Sequence, residues 1–222
     1  MPRQRAPLEP GAGDAILVPG QGSQHEGMRR LVERAAPGLI EAAADLTGAD
    51  PFARATGCTR LTQPAIYCAS VASWRLIADR VRPTAFAGHS FGEFAALVAA
   101  DALDMYDGLA LVTLRGRLTE EVAAQAGGGM VAVLGLDAET ARSIADEAGA
   151  VLANDNCPGQ AVLSGTEPAL AEVEREVAAR GAQTRRLAVN GPFHSPLMAA
   201  AVGPLEQALA RVRFGEPSVP VY

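Results

Sequence analysis

A chain of 222 residues, 49% of them hydrophobic, is long enough for one sizeable core or for a large and a small one. No run of about 18 uninterrupted apolar residues occurs, so no membrane-spanning helix is expected, and a net charge of -6 argues against nucleic acid as a partner. All 19 basic residues are arginine, so any cationic contact must be made through a planar guanidinium.

The opening "MPRQRAPLEPGAG", residues 1–13, is rich in proline, glycine and arginine. It lacks the apolar middle of a secretory signal and reads as a disordered tail. "AILVPG" (15–20) reads as a short buried strand stopped by Pro-Gly, and "GQGSQHEGM" as a Gly-rich turn into a helix over 28–36. Residues 62–80 have helical character, with Pro64 near the first turn. "TAFAGHS" (84–90) is a strand and "FGEFAALVAADAL" the helix after it. Residues 106–125 form a longer helix, broken by "AGGG".

The pattern then changes. "MVAVLGL" (130–136) alternates like a strand, and "DAETARSIADEAG" is a helix with an acidic first turn. "AVLAND" and "QAVLSG" are short strands joined by the turn "NCPG". "TEPALAEVEREVAARG" is a helix capped by threonine and glycine, and "TRRLAVN" (184–190) is a strand. This β-α-β-β-α-β order over about 60 residues is that of a ferredoxin-like unit. "SPLMAAAVGPLEQALARV" returns to helix, and "PSVPVY" begins a final strand. The expected fold is α/β. A large α/β-hydrolase-like domain with a parallel sheet (14–128 and 191–222) is interrupted by a ferredoxin-like subdomain (129–190).

Cys58, Cys68 and Cys157 show no metal-ligand spacing. An odd number without a secretory signal fits free, buried thiols in a reducing, cytoplasmic compartment, and no metal site is expected.

"GHSFG" (88–92) sits at the corner between the second strand and its helix. A G-x-S-x-G corner of this kind is a nucleophile elbow: glycines allow the tight turn, and the serine oxygen stands above the sheet. The following helix aims free N–H groups at that point, which places the N–H of Phe91 to help hold an oxyanion. An ordinary Gly-rich turn reads the same way locally. Of the three histidines, His89 adjoins Ser90 and points elsewhere at a sharp turn, and His25 lies in the first Gly-rich loop. His194, in "NGPFHSPLM", lies at a domain junction, where clefts form, and is the best base candidate by position. A structural histidine is the bland alternative. Arg115 lies at the edge of the apolar stripe Leu111, Leu114, Leu118 and Val122. It is paired with a protein carboxylate, reaches for solvent, or grips a carboxylate on a substrate.

Six segments, "VPGQGSQHEGM", "TQPAIYCAS", "GHSFGE", "LRGRLTE", "NDNCPGQAVLSG" and "NGPFHSPLM", occur in one order between Val18 and Met198, within a likeness that covers about residues 14–222. Together they resemble the malonyl-CoA:acyl carrier protein transacylases and the acyltransferase domains of polyketide synthases. The resemblance implies ping-pong transfer of a malonyl group from CoA to the phosphopantetheine thiol of an acyl carrier protein, in fatty acid or polyketide biosynthesis. It implies Ser90 as nucleophile, His194 as base, and the backbone N–H groups of Gln21 and Phe91 as oxyanion hole. Arg115 would hold the malonyl carboxylate, with His89, Gln63 and Asn156 lining the pocket. "GPFH" resembles malonyl-selective members, in which Phe193 would narrow the pocket against an α-methyl branch.

The CoA thioester is then a substrate and no cofactor is needed. Arg75, Arg80 or Arg82 could meet an acidic carrier protein. Val18 stands where the family usually has phenylalanine. Family members also run on beyond a segment like "PSVPVY", so the chain is expected to be a fragment, to be completed by a synthase or second chain, or to be a shortened relative. A carrier-protein acyl hydrolase and a truncated, inactive carrier-docking module are the alternatives. Arg115 favours the transferase, because hydrolysis needs no carboxylate clamp.

Overall fold

The computed structural model describes residues 13–53 and 58–222. The expected tail lies almost wholly outside them. The chain forms two compact units, whose described parts are 13–53, 61–113 and 212–222 in the first, and 58–60 with 114–211 in the second.

In the first unit β1 (Asp14–Val18) and β2 (Pro83–Gly88) run parallel, pairing Ile16 with Phe86 and Val18 with Gly88. Parallel neighbours need a long crossover. It is made by α1 (Met28–Ala35), α2 (Gly38–Thr47) and α3 (Thr59–Ile77). The C-terminal segment lies on the other side of β2: Phe86 N–H donates to the Pro220 carbonyl (2.9 Å), and Gly88 N–H to Tyr222 (2.8 Å). β2 is thereby central among these three segments, and the helix after it, α4 (Gly92–Ala99), starts from its end.

The core of this unit gathers Val32, Leu39, Ile66, Ala72, Phe86, Phe91 and Ala96, all buried. Trp74 meets Phe86 edge-on at 5.0 Å. Each such large apolar side chain contributes about 1.5–3 kcal/mol when fully buried. Tyr67 donates its hydroxyl to the Met105 carbonyl (2.8 Å), at the start of α5 (Met105–Ala126).

Three expectations are corrected here. α3 starts at Thr59, so Pro64 lies inside the helix rather than near its first turn, and Arg60 loses its helical i+4 donor. α2 was not expected: its buried face is only Leu39 and Ala43, too sparse a stripe to announce a helix. The cysteines are all free, but only Cys68 is buried, where desolvation pushes its thiol up to about 12. Cys157 is exposed and Cys58 partly so.

In the second unit the order is β3 (Gly129–Leu134), α6 (Ala138–Ala148), β4 (Val151–Cys157), β5 (Gln160–Gly165), α7 (Glu167–Ala179) and β6 (Gln183–Arg186). These strands make one antiparallel sheet in the order β4-β5-β3-β6. Asp137 caps α6 by accepting from Thr140 N–H (2.8 Å), and Gly149 ends that helix with a left-handed φ of 74°. The helices cover one sheet face through Ile144, Leu170, Val173 and Val177 against Val131, Val133 and Leu163. The opposite face carries Met130, Ala132 and Val162, with Leu187, Val189 and Phe193 packed against them.

β6 ends at Arg186 rather than at residue 190, and Leu187 N–H makes a last bond to Met130 (3.0 Å). The helix expected after "NGPFH" opens as a 3-10 segment, Pro196–Ala201, before α8 (Val202–Leu209). No helix among the described residues is long and apolar enough to cross a membrane.

Candidate active site

Three non-glycine residues among those described have left-handed backbones: Ser90 (φ 57°), Asp101 (φ 63°) and His194 (φ 59°). That region costs an L-residue about 1–2 kcal/mol. Asp101 sits just past α4, where its N–H bonds back to Val98 (3.1 Å), an ordinary way to end a helix. Ser90 and His194 have no such excuse, and strain of this kind gathers at functional positions.

Ser90 is held by its glycines. A Cβ on Gly88 would fall 2.1 Å from Glu93 N, and one on Gly92 would fall 2.6 Å from the Val18 carbonyl oxygen. The chain can therefore double back only where these two residues carry no side chain. Gly92 N–H donates to His89 (3.0 Å) and Glu93 N–H to Ser90 (3.2 Å), so the turn runs directly into α4. The Phe91 ring is buried in the core and anchors the turn from below. A Gly88→Ala variant is expected to fold less stably and to lose about a hundredfold or more in activity, the scale set by a displacement near 1 Å at the reacting atom. Steady-state kinetics on soluble variant protein checks this.

The first Gly-rich loop lies against the elbow. His89 N–H donates to Val18 (2.9 Å), and a Cβ on Gly20 would approach the His89 carbonyl oxygen to 2.6 Å. Ser23 donates its hydroxyl to the Gly20 carbonyl (2.8 Å), and Gly22 has φ 109°. Gln21 lies between these two glycines, in a loop pressed onto the nucleophile turn. His25 Nδ1 accepts from Gly27 N–H (3.1 Å), which commits that nitrogen to the turn. Gln63 is buried in α3. Gln21, Gln63, His89, Ser90 and Phe91 thus belong to the first unit.

Arg115, Asn156, Phe193 and His194 belong to the second. Arg115 is half-buried in α5, and the Thr119 hydroxyl donates to its carbonyl (2.8 Å). The loop bearing His194 is fastened to the same helix. A Cβ on Gly191 would meet Ala123 Cβ at 2.3 Å, so loop and helix touch backbone to side chain there. Ala123 is eight residues from Arg115, about 12 Å along the axis. Thr59 donates to Asn190 Oδ1 (2.7 Å), and Ser195 donates to the Pro192 carbonyl (2.6 Å), which bracket the histidine on both sides. Phe193 packs on the sheet face opposite the helices. Asn156, exposed on β4, donates to Gln160 Oε1 (3.3 Å).

Sequence reading did not single out Gly20, Gly191 or Asn190, which hold these loops in place. The glycines of "GQG" and "NGPFH" were visible, but a close approach involves a distant partner that no local pattern names. Among the described residues no group of three or more His, Cys, Asp or Glu side chains could hold a metal.

The model of the acyl transferase domain matches residues 16–222. The malonyl CoA-acyl carrier protein transacylase of Salmonella typhimurium is 37% identical, over 93% of this chain and 72% of its own length. FabD of Acinetobacter baumannii superposes with a TM-score of 0.85 at 33% identity, over 93% of this chain and 71% of that one. A malonyl-transacylase solved with its type II PKS acyl-carrier protein superposes with a TM-score of 0.84 at 35% identity, over 93% and 72%.

Proposed function

The chain belongs to the acyl transferase domain family, and from that premise we propose that it carries a malonyl group from CoA to the phosphopantetheine thiol of an acyl carrier protein, in fatty acid or polyketide biosynthesis. The observation that carries this reading is the strained Ser90, held at φ 57° between two glycines that tolerate no Cβ.

In this reading Ser90 Oγ attacks the thioester carbonyl carbon while His194 takes its proton. The oxyanion that forms is held by the backbone N–H groups of Gln21 and Phe91. The C–S bond then breaks, and His194 returns the proton to the CoA sulfur. The carrier thiol attacks the acyl-serine by the same steps in reverse, restoring Ser90. Arg115 holds the malonyl carboxylate through its planar fork. Gln63, Asn156, His89 and Phe193 shape the pocket, Phe193 against an α-branch. CoA enters as substrate, and no cofactor takes part.

The β-α-β-β-α-β order with sheet order β4-β5-β3-β6 supports a ferredoxin-like subdomain at 129–190. The parallel pairing of β1 and β2, with Ser90 at the end of β2, supports an α/β-hydrolase-like large domain over 14–128 and 191–222. Free thiols fit a cytoplasmic setting. Arg75, Arg80 and Arg82 are offered as carrier contacts on charge alone. A synthase or second chain completing the large domain gains no support from the relatives' names.

Radiolabelled malonyl-CoA mixed with the protein tests the reading. Label is expected on Ser90, and it moves to holo-carrier protein when that is added. Label that passes only to free malonate points to the hydrolase, and no labelling removes the enzymatic reading.

A further inference from the structure

α1 carries three arginines within six residues, and they are not equivalent. Arg29 is tied to Glu33 (2.9 Å) and also to Asp50. Arg30 and Arg34 are four apart on one helix face, both exposed, and among the described residues neither forms an ion pair or hydrogen bond. Like charges at this spacing repel and weaken a helix. The two guanidinium groups line one open recess of about 630 Å³ together with His25, Gly27, Leu31 and Glu33. The single acid in the lining is the one that Arg29 already engages. The recess thus holds two like charges that no acid of the described chain answers.

We propose that this recess recognises phosphate on the substrate thioester, with Arg30 and Arg34 as the anion-binding forks and the phosphates of the CoA end as their ligand. The proposal rests on the transferase reading above, which brings a phosphorylated thioester to Ser90. Position supports it. His25, in the recess, follows Gln21 of the oxyanion loop by four residues, and four residues of chain span at most about 14 Å. A pantetheine arm reaching from the elbow can therefore end near α1. Chemistry supports it too: a guanidinium presents paired N–H donors that match phosphate oxygens two at a time, and no lysine occurs in this chain to do the same work.

The test compares acylation of Ser90 by malonyl-CoA, malonyl-phosphopantetheine and malonyl-pantetheine in the wild type and in the R30A/R34A double variant. The double variant is expected to lower the kcat/KM ratio of malonyl-CoA over malonyl-pantetheine by roughly five- to twentyfold, through KM. The wild-type preference should also shrink with added salt. A fall shared by malonyl-phosphopantetheine assigns the recess to the 4′-phosphate, which carrier protein also bears. A fall confined to malonyl-CoA assigns it to the nucleotide phosphates. An unchanged ratio in a variant that melts like the wild type overturns the proposal. If the wild type fails to acylate Ser90 from any of the three thioesters, the transferase reading falls and the recess falls with it. R30K/R34K, which keeps charge without the fork, should restore part of the ratio, as a merely structural role would not require.

Discussion

Replacing Ser90 with alanine should abolish the acyl-enzyme. Incubated with malonyl-CoA, the variant shows no malonyl adduct in its intact mass, and transfer to carrier protein falls by about 10⁴–10⁶. The residual rate is what an oxyanion hole and substrate binding supply without a nucleophile. Ser90→Gly separates chemistry from strain. Glycine accepts φ 57° without the left-handed penalty, so this variant should be as inactive as the alanine one yet more stable than wild type by about 1 kcal/mol. Thermal melting reads that gain. A glycine variant less stable than the wild type would mean that the elbow is not a strained turn, and an alanine variant that still carries malonyl would place the nucleophile elsewhere.

Arg115→Ala carries the second large effect. In the proposed role its guanidinium meets the malonyl carboxylate, and removing one partner of a hydrogen-bonded charge pair costs about 2–5 kcal/mol. The preference for malonyl-CoA over acetyl-CoA, measured as a ratio of kcat/KM, should therefore fall by about 30-fold to 5,000-fold. Acetyl-CoA loses little, because it presents no carboxylate. Arg115→Lys should recover only part of the preference, since an ammonium keeps the charge but not the paired donors. A malonyl-to-acetyl ratio left unchanged by the alanine variant would remove Arg115 from substrate recognition. The backbone tie from Thr119 stays in both variants, so the helix itself is not at issue.

The elbow was legible because its signal lies within five consecutive residues. Gly88, Ser90 and Gly92 declare a tight strand-to-helix turn without reference to the rest of the chain. The second unit was legible for a related reason. Its strands and helices alternate with clear caps, such as Asp137 and Thr166, and with clear stops, such as Gly149. Pro64 misled, because proline usually marks a first turn, whereas here α3 begins five residues earlier. The tract 187–195 misled in another way. "RRLAVN" alternates like a strand, yet after Leu187 the chain leaves the sheet for a loop that Gly191 seats on α5.

The chemical inventory and its local settings follow from the order of the residues alone. These are a glycine-flanked serine at a strand end, few histidines to serve it, an arginine on an apolar edge, and two blocks of different periodicity. Each depends on residues near one another in the chain, where steric limits and hydrogen-bond spacing act directly. Long-range packing is what set β2 between β1 and the 220–222 segment. It also decided that Gly20 abuts His89, and that His194 takes a left-handed backbone beside a glycine pressed against Ala123. Those facts depend on packing between segments tens of residues apart, where the close approach of two backbones, not the pattern of either, sets the conformation.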